Sequence, residues 1–209
     1  FFCCKNIIGN ITVYISFVLQ VFESVLRMAK IKRIRSARNH GDLNISVDKD
    51  QEWTDEELKL LKSSFFESLD SNALDLFNAW RDKTDKCSLK LSSYFQAYAE
   101  QLHSYRGSKC TLVEIGVMEG GSLLAWKDWL GQDARVIGID INPEVKEFEK
   151  QGVEIVIGNQ ADPTFWSNFF NKNPDIDIII DDGGHQYFQQ AITFFCVLFH
   201  AKKKMRFLV

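Results

Sequence analysis

The sequence predicts a doubly wound α/β domain with a mostly parallel sheet, preceded by a helical cap, and three observations carry that prediction. Past residue 107, short β-branched runs at 111–115, 135–139, 153–157 and 177–180 alternate with amphipathic stretches at 122–130, 143–150, 163–171 and 187–200. Turn residues bound each run. Four consecutive run ends carry polar or ionisable residues while the interiors of the runs carry almost none, as expected where strands are buried on both faces of a parallel sheet.

The chain has 209 residues, 45% hydrophobic and 25% charged, enough for one main core plus a small cap and too apolar for a disordered segment. With 25 basic and 28 acidic residues the net charge is -3, so no global basic excess points to nucleic acid. Cys3, Cys4, Cys87, Cys110 and Cys196 form no C-x-x-C motif and have no histidine at zinc spacing. That pattern argues against a disulfide framework and a structural zinc, and for reduced thiols in a cytoplasmic setting.

Residues 7–26 are apolar, interrupted by Asn10, Gln20 and Glu23, and followed by Arg27, Lys30, Lys32, Arg33, Arg35 and Arg38. Two readings stand: a membrane anchor with a cytoplasmic basic flank, or upstream sequence ahead of Met28-Ala29. Residues 39–50 are polar and read as a solvated linker, which closes a first segment, 1–50.

The cap spans 51–106. Thr54 followed by Asp55, Glu56 and Glu57 is a helix start, and Leu58, Leu61, Phe65 and Leu69 continue at helical spacing. A second amphipathic helix is expected over 89–103, with Leu91, Phe95, Tyr98 and Leu102 on one face. The α/β domain then occupies 107–209.

Ligands of open parallel sheets bind beyond the carboxyl ends of the strands. The first run leads into Glu114-Ile115-Gly116-Val117-Met118-Glu119-Gly120-Gly121-Ser122, the second into Asp140-Ile141-Asn142, the third into Gly158-Asn159-Gln160-Ala161-Asp162, and the fourth into Asp181-Asp182-Gly183-Gly184-His185. Four consecutive strand ends carry the polar chemistry, which predicts a single furnished crevice. The glycines of the first loop allow close backbone approach and lead into a helix N-terminus. A nicotinamide dinucleotide would call for G-x-G-x-x-G, but Val117 stands where the second glycine belongs, so an oxidoreductase is disfavoured. Asp140, 24 residues past Gly116, is placed to accept hydrogen bonds from both hydroxyls of a ribose.

Together these four motifs, with Trp126, Asn142-Pro143 and Asp162-Pro163, resemble Rossmann-type S-adenosylmethionine-dependent methyltransferases. More narrowly they look like the metal-dependent O-methyltransferases of macrolide sugars, with cephalosporin hydroxylase-like proteins as a neighbouring group. The resemblance covers about residues 84–200. It implies that Glu114, Gly116, Gly120, Gly121 and Ser122 hold the methionine moiety and that Asp140 holds the ribose, with Asn142 beside it among the cofactor-binding residues. Gln160 and Asp162 would neighbour the adenine, Asp181 would orient the loop or face the cofactor, Asp182 would ligate Mg²⁺ and His185 would be the general base. The acceptor would be a hydroxyl on a small molecule or sugar. The chemistry of the last two residues agrees, since Mg²⁺ is content with one or two carboxylates plus waters, and a histidine beside them can take a hydroxyl proton.

The sequence departs from the family after residue 200. Lys202-Lys203-Lys204 replaces the usual glycine pair, Met205-Arg206-Phe207-Leu208-Val209 could begin a strand, and no further acidic pair follows. A truncated core with an exposed apolar edge is the expectation, prone to swapping or aggregation. The alternative reading is a non-catalytic cofactor-binding fragment. His40, His103 and His200 read as surface or helix-end residues, Trp126 and Trp129 as packing, and Phe65, Phe66, Phe169, Phe170, Phe194 and Phe195 as core.

Overall fold

The computed structural model describes residues 33–36, 43–46, 67, 69–82, 89–90, 92–200 and 205–209. The apolar segment 7–26, the helix expected from Thr54, His40, Phe65 and Phe66 lie outside the described residues. No described helix is long and apolar enough to cross a membrane.

The α/β half forms as its rhythm demands. Strands β4 (Thr111–Ile115), β5 (Arg135–Asp140), β6 (Glu154–Ile157), β7 (Ile178–Asp181) and β8 (Arg206–Leu208) make a sheet in the order β6-β5-β4-β7-β8, and every pairing is parallel. The residues that could only begin a strand do form one, as the three-residue edge β8. Between the strands run α3 (Gly121–Leu130), the 3₁₀ segment Pro143–Gln151, α4 (Pro163–Lys172) and α5 (Tyr187–His200). The second connection, read as an amphipathic helical stretch, is 3₁₀.

Alternation along each strand sorts the core into two layers. Leu112, Val136, Ile178 and Ile180 pack with α3 on one face, while Val113, Ile137, Ile139 and Ile179 pack with Trp166, Phe169 and Phe170 of α4 and Val197 of α5 on the other. Both faces are therefore covered, and the central strands β4, β5 and β7 are buried through nearly all their length, the edge strands β6 and β8 less so.

The cap lies on the α3 face. Helices α1 (Ser71–Asp82) and α2 (Ser92–Leu102) bury Leu76, Phe77, Trp80, Phe95 and Leu102 in the same layer as Trp126 and Trp129. The Trp126 ring makes edge-to-face contacts with Trp80 at 4.9 Å and Tyr98 at 5.3 Å, so both tryptophans of α3 are packing residues, as expected. Helix α1 was not foreseen, and the expected helix over 89–103 starts three residues later, at Ser92. The segment ahead of it is β3 (Leu89–Lys90), which joins β1 (Arg33–Ser36) and β2 (Leu43–Ser46) in an antiparallel sheet ordered β2-β1-β3. Residues 43–46 thus pair as a strand within the stretch read as a linker.

Phe169 and Phe170 are buried as expected, but Phe195 is 53% exposed, which corrects its assignment to the core. The period of α5 turns Thr193 and Val197 toward the sheet and Phe195 away from it.

Candidate functional site

Strand order reverses between β4 and β7, since β5 and β6 lie to one side of β4 and β7 and β8 to the other. Diverging connections leave a crevice at such a switch point, on the carboxyl side of the sheet. A cavity of about 410 Å³ opens there, lined among others by Lys90, Gly116, Ser122, Asp140, Gln160, Asp182 and His185. Asp140 and Asp182, from strands two positions apart in the sheet, are wall-mates of this one cavity.

Hydrogen bonds between neighbouring tips hold the wall together. Gly116 N donates to Ile139 O at 2.8 Å, Val117 N to Asp140 Oδ2 at 2.8 Å, and Asp182 N to Ile115 O at 3.0 Å. The second Asp140 oxygen accepts from Asn142 N at 2.9 Å, which fixes the carboxylate at the β5 tip. Gly116 has φ +89°, and a Cβ there would lie 2.3 Å from Asp182 O, so the first loop passes the β7 loop at a distance that glycine alone allows.

Gln160 organises the opposite wall. Its Nε2 donates to Asp181 Oδ1 at 3.2 Å and to Thr193 Oγ1 at 3.2 Å, and its Oε1 accepts from Gly184 N at 2.6 Å. Asp181 is buried and also accepts from Gly183 N at 3.3 Å, so it orients the loop that carries Asp182 and His185. Burial pushes the Asp181 carboxyl above its ordinary range, against the opposing pull of those hydrogen bonds and of His185.

The structure separates the expected site residues into two groups. Gly116, Ser122, Asp140, Gln160, Asp182 and His185 line the cavity; Glu114, Gly120, Gly121, Asn142, Asp162 and Asp181 do not. Gly120 and Gly121 form the turn into α3, with Gly120 at φ +77° as its N-cap. Asn142 and Asp162 are N-caps as well, accepting from Glu144 N at 3.0 Å and Thr164 N at 2.8 Å.

Glu114 is fully buried, and its Oε1 accepts from Lys90 Nζ at 2.8 Å. The same ammonium pairs with Asp182 Oδ2. Burial alone would push the Lys90 ammonium down, but the charges of Glu114 and Asp182 outweigh it and hold the group well above the ordinary lysine range. Burial also raises the phenols of the adjacent Tyr94 and Tyr98. Sequence reasoning missed Lys90, because a strand of two residues has no periodicity. Its one signal is a charge set between leucines, Leu89-Lys90-Leu91. Gln189, from α5, is the other lining residue outside the strand-end motifs.

A parallel sheet of this order, covered on both faces and furnished at its switch point, is the Rossmann-like methyltransferase fold. Solved structures of the MycE methyltransferase from the mycinamycin biosynthetic pathway, in complex with Mg and S-adenosylhomocysteine, share it. One has a TM-score of 0.52 at 19% identity, over 79% of this chain and 49% of that one. Another, which also holds mycinamycin VI, has a TM-score of 0.52 and overlaps 50% of that chain. In sequence, the chain is 33% identical over 128 residues to the 8-demethyl-8-alpha-L-rhamnosyl tetracenomycin-C 2'-O-methyltransferase of Streptomyces olivaceus, covering 58% of this chain and 32% of the relative. It is 30% identical over 95 residues to the demethylmacrocin O-methyltransferase of Streptomyces fradiae, covering 42% of this chain and 24% of that protein. The chain thus spans a third or less of the length of these curated relatives. No family model matches.

Proposed function

We propose that this chain binds S-adenosylmethionine in the cavity between the strand tips, and that the methyl group passes to a hydroxyl of a small molecule or sugar. The observation that carries the reading is the meeting of Asp140, the Gly116 loop, Asp182 and His185 around one cavity. The cavity volume suits a ligand of this size, since small-molecule sites run from about 300 to 1,000 Å³. Gly116 lines the cavity and lets its loop pass close to the β7 loop, and Asp140 stands at the β5 tip for the ribose hydroxyls. Asp182 and His185 then face the acceptor. The acceptor oxygen takes the methyl carbon as the carbon–sulfur bond breaks toward sulfur, and the imidazole of His185 receives the hydroxyl proton.

The described residues fit a magnesium ion in part. A cation that keeps most of its waters needs one or two protein carboxylates, and Asp182 is the cavity-lining carboxylate closest in sequence to His185, although its Oδ2 already pairs with Lys90. Among the described residues no group of three His, Cys, Asp or Glu could hold a metal ion. Bound at Asp182, the ion would supply polarisation of the acceptor hydroxyl.

Calorimetric titration with S-adenosylhomocysteine should give saturable heat, and NAD none; binding of NAD without S-adenosylhomocysteine overturns the reading. His185→Ala should lower methyl transfer by about 100-fold or more. Unchanged transfer would remove His185 from the role of base.

A further inference from the structure

Two side-chain amides hold the peptide units on either side of His185. Gly184 N, ahead of it, donates to Gln160 Oε1 at 2.6 Å, and Gln186 N, after it, donates to Gln189 Oε1 at 3.3 Å. His185 itself is exposed, and its imidazole has no hydrogen-bond partner among the described residues. The place of the ring is therefore set by the backbone that carries it. Both glutamines line the cavity together with His185. Two glycines make the seating possible, since a Cβ on Gly183 would lie 2.4 Å from Gln160 Oε1 and one on Gly184 would lie 2.2 Å from Gln189 Oε1. Side chains do not approach so closely, so the loop packs against both amides through bare backbone.

The Gln160 amide is the firmer hold, because it is itself built into the protein. The residue is buried, and its backbone carbonyl accepts from the indole of Trp166 at 2.8 Å. A primary amide has two N–H donors and one carbonyl oxygen. Here the donors go to Asp181 Oδ1 and Thr193 Oγ1, both at 3.2 Å, and the oxygen goes to Gly184 N. No donor is left for a ligand. Turning one toward the cavity would loosen the hold on a buried carboxylate or a buried hydroxyl, and buried polar groups are costly to leave short of partners. The amide thus ties the β6 tip, the β7 tip and α5 to the one loop that carries His185. The resemblance would set Gln160 near an adenine; its hydrogen bonds commit it to the loop.

We propose that Gln160 is a positioning residue for His185, fixing the peptide ahead of it, and that it does not read the base of the ligand. This rests on the function proposed above and deepens it. The test needs no acceptor. Gln160→Met keeps the length of the side chain and removes its hydrogen bonds. Amide exchange at Gly184, followed by NMR, should quicken by about 3- to 10-fold, the range of one lost hydrogen bond, while the Gly116 amide, bonded to Ile139 O in the same crevice, keeps its rate. The imidazole signal of His185 should shift or broaden with it. Gln189→Met should quicken Gln186 and leave Gly184 as it was. Gln160→Asn withdraws the amide by one methylene and covers the case in which Gln160→Met does not fold; it should give the same changes. Calorimetry with S-adenosylhomocysteine and S-inosylhomocysteine reads the base, and the ratio of their affinities should be the same in the unaltered chain and in the Gln160 variants. Unchanged exchange at Gly184, an unchanged His185 signal, or equal quickening at Gly184 and Gly116 overturns the positioning role. A ratio that falls toward one in the Gln160 variants shows the amide reading the base and overturns the assignment. Failure of the unaltered chain to bind S-adenosylhomocysteine overturns the cofactor reading alone, because exchange at Gly184 and the His185 signal still decide the positioning role.

Discussion

Gly116 carries two constraints at once, a left-handed φ of +89° and a backbone carbonyl 2.3 Å from where a Cβ would stand. The first disfavours any L side chain by about 1 kcal/mol, and the second forces a backbone shift costing a further 1–3 kcal/mol or so. The clashing carbonyl belongs to Asp182, so the shift is passed directly to the residue expected to face the acceptor. Gly116→Ala should therefore lower the melting temperature by several degrees and weaken S-adenosylhomocysteine binding together. A loss of binding at unchanged stability would mean that the glycine contacts the ligand without supporting the loop. At this scale the sequence was readable wherever a residue follows a long strand, because the strand-end rule names its location in space. Asp140, Gln160, Asp182 and His185 were legible for that reason. Lys90 was not, since its place depends on a two-residue strand whose partner lies more than fifty residues earlier.

Asn142-Pro143 and Asp162-Pro163 show how one local pattern can serve an element instead of a ligand. An N-cap side chain followed by proline at the first helical position is a helix start, and both residues accept from a backbone N–H two positions on. Their nearness to the motifs drew them into the expected site; their hydrogen bonds turn them to the helices. Asp162→Ala should cost about 1 kcal/mol of stability, seen in chemical denaturation, and leave the affinity for S-adenosylhomocysteine unchanged. A fall in affinity with intact stability would return Asp162 to the adenine side of the cavity. The edge of the sheet offers a pH test. Arg135 of β5 donates twice to Glu154 of β6, at 2.6 Å each, and these bonds hold the Glu154 carboxyl below its ordinary range despite partial burial. A depressed folded-state value adds stability that is present above the unfolded value, near 4.5, and is lost as pH falls through the folded one. Both groups are largely exposed, so the contribution stays under about 1 kcal/mol and shrinks with salt. Melting curves of Arg135→Gln should fall below those of the parent at neutral pH and converge with them in acid; a constant offset across the range would assign the effect to packing.

The whole-molecule architecture was legible because the strand–helix rhythm and the covered parallel sheet are consequences of the same burial pattern. Strand order was not, since an apolar run does not name its neighbour, and neither was the antiparallel sheet β2-β1-β3, whose strands are short and rich in polar residues. The outer surface of α5 was also hidden. Phe195 and Phe199 are four positions apart, on one face of the helix, and are 53% and 82% exposed, with Phe188 exposed two turns earlier. Exposed aromatic area of this kind favours association, while the short β8 at the sheet edge offers little backbone for strand addition. Self-association should therefore run through the helix face more than through the edge. Sedimentation of the chain should show mass increasing with concentration, and Phe195→Glu with Phe199→Glu should return it to a monomer. The melting temperature should not fall, because neither side chain belongs to the core. Association that survives the double substitution would move the sticky surface to the sheet edge, where a charged residue in place of Phe207 would be the next variant to measure.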